Sequence, residues 1–252
     1  MKKNTLFQQL CVALACAGTG HWAVAQDMAY VGGMSSKIDK TAKAPDDIVH
    51  TKITNQGNTA IFHMRVSGKA GANKSTKTGK LAGANVFSYA WPTSLDPADV
   101  GFESKSGILA LAVTAHPDFK DTPLFDENGD NDTQNDGGVW HSHWVVLQND
   151  DACGQGALKV VDIPEGTRPR LPKTWPGLPL LIDSPGWSPT FTGSTLKVQV
   201  PFDDIGAVKG ATFDGVTAGL RINASMHSPL LCVVNLFKVA SGNLSLPGKV
   251  NE

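Results

Sequence analysis

No stretch of this 252-residue chain sustains an apolar pattern with a 3.6-residue period, so long amphipathic helices are excluded as its building blocks. What recurs is short runs rich in Val, Ile, Thr, Phe and Trp, at 48–54, 59–66, 85–91, 107–115, 139–147, 158–163, 178–182, 195–201, 216–224 and 230–239. Gly, Pro, Asn and Asp punctuate the gaps, and the turn-forming Asn55-Gln56-Gly57-Asn58 joins the first two runs. One helical turn is expected over 203–209. Many short strands joined by turns predict an all-β chain, read here as a single antiparallel β-sandwich of Greek-key type with long loops. Two segments break the rhythm. Residues 68–83, rich in Lys, Gly, Ala, Ser and Thr, read as a mobile surface loop. Residues 164–189 carry seven prolines and read as a cover over a sheet edge, with Trp175 and Trp187 beneath it.

The first 25 residues read as an export signal: Lys2 and Lys3, a short apolar core over 10–17, then Ala23-Val24-Ala25 as the cleavage site. The apolar core is too short to span a bilayer, and no later segment reads as a transmembrane span. The expected organisation is a signal peptide (1–25), a flexible lead-in (26–46) and a β-sandwich metal-binding domain (47–252). Loss of the signal would take the formal net charge from −1 to −3 and leave no basic cluster, which argues against nucleic acid as a partner. It would also leave two cysteines, Cys153 and Cys232, which in an oxidising compartment most simply join as a disulfide. The expected location is therefore the periplasm, the cell surface or the medium.

Within the 139–147 run lies Trp140-His141-Ser142-His143-Trp144. Side chains alternate faces along a strand, so His141 and His143 share one face, with Cα atoms about 6–7 Å apart. Two imidazoles so spaced can tilt onto one metal ion. Trp140, Ser142 and Trp144 take the other face. Geometry ranks His116 as the third ligand: the 107–115 strand runs into it, crosses an acidic loop and returns as the 139–147 strand. An antiparallel pairing that sets Thr114 opposite His141 and Ala112 opposite His143 puts all of these on one face, whereas a slip of one residue removes His116 from it. His63 and His227, each beside a methionine, are further candidate ligands; His50 looks peripheral.

With thiols assigned to a disulfide, imidazole is the main donor. An exported His-rich site with methionines nearby favours copper, with zinc as runner-up. The loop between His116 and His141 concentrates five aspartates and Glu127 within 16 residues. It begins like an EF-hand, but Asn131 and Gly137 stand where that loop needs Gly and Glu. A calcium ion held by Asp126, Asn128, Asp130, Asp132 and Asp136 remains the expectation from oxygen density. Nucleophile elbows, P-loops, dinucleotide fingerprints, His-Glu-x-x-His and Cys-x-x-Cys are absent from the sequence, so binding is favoured over catalysis. The reading is an exported metal-binding protein. Its alternatives are a haem- or carbohydrate-binding module, a copper or zinc metalloenzyme, and an adhesive surface protein whose only ion is calcium.

Overall fold

The computed structural model describes residues 32–119, 121, 125–223 and 230–251. The chain is nearly all β, at 41% strand. Strands β1 (Met34–Ser35), β2 (Ile48–Gln56), β3 (Thr59–Val66), β4 (Thr78–Gly79), β5 (Asn85–Pro92), β6 (Ile108–Ala115), β7 (Asp118–Phe119) and β8 (His141–Asn149) come first. Then follow β9 (Leu158–Val160), β10 (Ile182–Asp183), β11 (Thr190–Thr192), β12 (Thr195–Pro201), the short helix α1 (Ile205–Lys209), β13 (Thr212–Phe213), β14 (Val216–Ile222), β15 (Leu231–Val239) and β16 (Gly248–Lys249). Nine of the ten runs expected as strands carry one over three or more residues, the 178–182 run reaches β10 only at Ile182, and the expected helical turn is α1.

The single sandwich needs correction. A five-stranded sheet, β1-β2-β3-β12-β11, forms one layer. The other layer closes on itself as a six-stranded antiparallel barrel in the order β8-β6-β5-β14-β15-β9. The closing strand is β9. It pairs with β8 at Gln148↔Lys159 and with β15 at Cys232↔Lys159. Three residues suffice to abolish two sheet edges, and a run that short carries no sequence signal that it pairs on both sides. Nearby, Cys153 and Cys232 form the expected disulfide, with Cα atoms 5.5 Å apart. Lys159 bridges Asp150 at 2.8 Å and Asp162 at 2.9 Å across the same seam.

Alternation divides the apolar side chains between two cores. Phe62, Met64, Val198 and Val200 of the five-stranded sheet pack against Tyr89, Trp91, Leu111, Val113, Trp144 and Val146 on the barrel's outer wall. The aromatic contacts there are edge-to-face, with Phe62 5.6 Å from Trp91 and 5.9 Å from Trp144. The odd-even partners of these residues, such as Ala90, Ala112, Val145, Val216 and Ala218, face the barrel interior.

Two loop readings also change. Within 68–83, Ala70 is buried, Gly71 donates its N–H to the Tyr89 hydroxyl and its carbonyl accepts from Trp140 Nε1, so the segment is tied down. The proline-rich segment covers an edge as expected, and it also supplies β10, which pairs with the middle of β8. Met34 and Ser35, in the expected lead-in, pair with β2.

Candidate metal centre

The register of β6 against β8 sets the site. Thr114 stands opposite His141 and Ala112 opposite His143, the pairing that puts the imidazoles on one face. His116 lies one residue beyond β6, and its carbonyl accepts the Gly138 N–H at 2.8 Å. That return depends on two glycines. Gly138 has φ +73°, and a Cβ on Gly137 would meet the Lys77 carbonyl oxygen at 1.7 Å. Behind the histidines, the outward residues of the strand anchor it. Trp144 packs on Phe62, and Ser142 donates to the Trp187 carbonyl at 2.6 Å. Trp140 packs at a tilt against Tyr89, centroids 5.1 Å apart, just before the strand begins.

The three rings converge at one end of the barrel interior. Ring centroids lie 4.8 Å apart for His116–His141 and for His141–His143, and 6.4 Å for His116–His143. The fourth member is Glu127, from the acidic loop. Its Oε2 sits 3.1 Å from His116 Nε2 and 3.3 Å from His141 Nε2, and those two nitrogens are 3.0 Å apart. One donor atom from each of His116, Glu127, His141 and His143 falls within 4.8 Å of the others. The three short separations approach the edge of a coordination tetrahedron, about 3.3 Å for bonds of about 2.0–2.1 Å.

The outward ring nitrogens of His116 and His143 are held in place, whereas His141 Nδ1 is buried without a well-formed hydrogen bond among the described residues. His116 Nδ1 donates to the Pro117 carbonyl at 3.0 Å, and His143 Nδ1 to the Asp183 carbonyl at 3.1 Å, with Ser184 Oγ also at 3.1 Å. A proton fixed on Nδ1 leaves the Nε2 lone pair for a cation, the outer-shell arrangement common to metal-ligating histidines. Thr174 donates to Asp183 Oδ1 at 2.6 Å and steadies the segment that carries this carbonyl. His116 also stacks on Phe119, with centroids 5.1 Å apart and ring planes 7° apart.

Charge in the cluster is unevenly shared. Burial pushes His143 down to about 4, against the pull of Glu127, and holds His141 well below the ordinary histidine value. Burial also opposes charge on His116, but the Glu127 carboxylate outweighs it and raises that ring above its ordinary value. Burial would raise Glu127, and the His116 charge overrides it, so its carboxyl is held well below the usual carboxylate range. The Glu127 carboxylate thus biases His116 towards the charged form, while burial biases His141 and His143 towards the neutral one. A cation held there would favour the deprotonated ring nitrogens, so its binding would compete with protons, chiefly at His116.

The other expected ligands lie elsewhere. His63 sits on the outer face of the five-stranded sheet, 6.0 Å centroid to centroid from His50, and belongs to no cluster with His141. The alternation of β3 explains this, because Phe62 and Met64 take the core face. His227 lies outside the described residues. The loop aspartates turn their oxygens to nearby amides. Asp126 accepts from Gly129, Asp130 and Asn131, Asp130 accepts from Asp132, and Asp132 accepts from Gln134. Asn128 donates to Asp130, and Asp136 accepts from the N–H groups of Glu127 and Asn128. Among the described residues, the only group of three or more His, Cys, Asp or Glu side chains with converging donors is the His/Glu cluster.

Glu127 is the member of the cluster that sequence reasoning passed over. A signal for it exists. Asp and Asn bond their own backbone two residues on, which consumes their oxygens in turns. Glu is one carbon too long for that, so the lone Glu of this loop is the carboxylate left to reach inward. Comparison with known protein families, with curated proteins and with solved structures finds no match for this chain.

Proposed function

We propose that this chain is an exported metal-binding protein. Its centre takes a divalent transition-metal ion on His116, His141, His143 and Glu127. The observation that carries the reading is the convergence of three buried imidazoles and one carboxylate, with the outward nitrogens of His116 and His143 already engaged. The described donor set, imidazole and carboxylate, is borderline to hard, and Met64 faces the inter-sheet core. That chemistry supports Cu(II), which heads the divalent affinity series for such ligands, ahead of Zn(II). The Cys153–Cys232 disulfide supports an oxidising compartment.

Haem and carbohydrate readings have less support. The cavity beside the cluster is about 140 Å³, whereas pockets for drug-sized ligands run about 300–1,000 Å³. A metalloenzyme is the second reading, favoured by the direct opening of that cavity onto the cluster. The test is titration of the protein with Cu(II) and with Zn(II), read by metal analysis after desalting. One equivalent retained by wild type and lost in His141→Ala/His143→Ala supports the proposal. Equal retention by both refutes the site.

A further inference from the structure

A barrel of about eight strands has an interior just wide enough for side chains to fill, so a six-stranded one should have no room to spare. This one has room. Three neighbouring strands turn small side chains inward, among them Ala112 of β6, Ser88 and Ala90 of β5, and Ala218 of β14. The space left is a cavity of about 140 Å³. Most of its wall is Val, Leu and Ile, while His116, Glu127 and His143 lie at one end. A dry apolar cavity of about 150 Å³ accommodates benzene or xenon.

We propose that the barrel lumen is a binding site for a compact apolar molecule of about the size of phenol, carrying a single oxygen head group that points at the histidine cluster. The body gains from leaving water for a preformed apolar chamber. Among the described residues the polar lining gathers at the His/Glu end, where Asp118 and the Ser88 and Thr114 hydroxyls, in register with His141, adjoin the cluster, so the head points there as a hydrogen-bond partner of the metal-free cluster or as a ligand of the metal placed there. Beyond the Ser88 and Thr114 hydroxyls, further polar groups meet the Val/Leu/Ile wall and would be buried unsatisfied, so sugars, with their several hydroxyls, are rejected. The assignment of the head to a metal rests on the proposed function; the occupancy of the lumen does not.

The experiment uses phenol and benzene as probes, with binding measured calorimetrically on the metal-free and Co(II)-loaded protein and bound cobalt counted separately. Wild type should bind both probes saturably, phenol at least tenfold tighter than benzene. Cobalt should widen that preference and change its own visible spectrum on phenol addition. Ala218→Leu, and Ala90→Leu as a second variant should the first not fold, narrow the lumen. Each should take up cobalt normally and lose at least tenfold in affinity for both probes. Saturable phenol binding in a protein that takes up no cobalt sinks the metal reading and upholds the lumen site. Cobalt uptake with no saturable binding of either probe overturns the lumen proposal, as does phenol binding no tighter than benzene.

Discussion

Removing the disulfide should open the barrel at its seam. Cys153 and Cys232 are 79 residues apart in sequence. Closing a loop of that length in the unfolded chain corresponds to about 4.5 kcal/mol in the chain-entropy treatment. The seam it secures is thin, since β9 contributes three residue pairs to β8 and one to β15. For a folded unit of this size about 1 kcal/mol moves the midpoint by about 2–4 °C, so Cys153→Ala/Cys232→Ala should melt roughly 9–18 °C lower. Scanning calorimetry measures the shift. Amide hydrogen exchange locates it, because β9 and the facing amides of β15 should lose protection before β2 and β3 do. A drop under about 3 °C would show that the bridge contributes little to holding the fold closed. So would protection lost evenly across both layers, since the bridge would then not secure the seam.

Three further outcomes follow from the site. A metal at one hundred times its dissociation constant should stabilise the fold by about 2.7 kcal/mol, a rise of roughly 5–11 °C that His141→Ala/His143→Ala abolishes in thermal melts. Asp136 is buried and holds the Glu127 and Asn128 amides, so Asp136→Ala should weaken metal binding at least tenfold by competition with a chromophoric chelator, while far-ultraviolet circular dichroism stays unchanged. Metal-free protein should lose stability to urea as pH falls from about 6.5 towards 4, because the unfolded chain protonates His141 and His143 while the folded chain does not. His116 is shifted up and acts oppositely, its contribution being lost only as pH rises through its folded value. A midpoint at pH 5 equal to or above that at pH 7 would count against two neutral buried imidazoles.

How much of this could be read in advance depends on the range of the signal. Strand positions were legible because alternation is local: the 59–66 run is β3 and the 195–201 run is β12. The β6–β8 register was available as one of two choices, since the buried face must be continuous and one residue of slip inverts it. The Cys153–Cys232 bridge followed from having two thiols. Barrel closure was not legible, because it turns on three residues of β9 pairing both with its near neighbour β8 and, through one residue pair, with β15 far along the chain. The support of His143 by Asp183 and Ser184 was hidden inside a proline-rich segment, where backbone carbonyls do the work and side-chain chemistry gives no hint. His63 was misdirected by residue type alone, although the alternation of its own strand already placed it opposite Phe62 and Met64.

X-ray absorption on the protein loaded with one equivalent of Cu(II), and again with Zn(II), interrogates the metal centre most directly. The account predicts about three imidazole nitrogens and one carboxylate oxygen near 2.0–2.1 Å and no sulfur scatterer, with the imidazole signal reduced in His141→Ala/His143→Ala. A first shell with fewer than two imidazoles, or one unchanged by that double substitution, would contradict it.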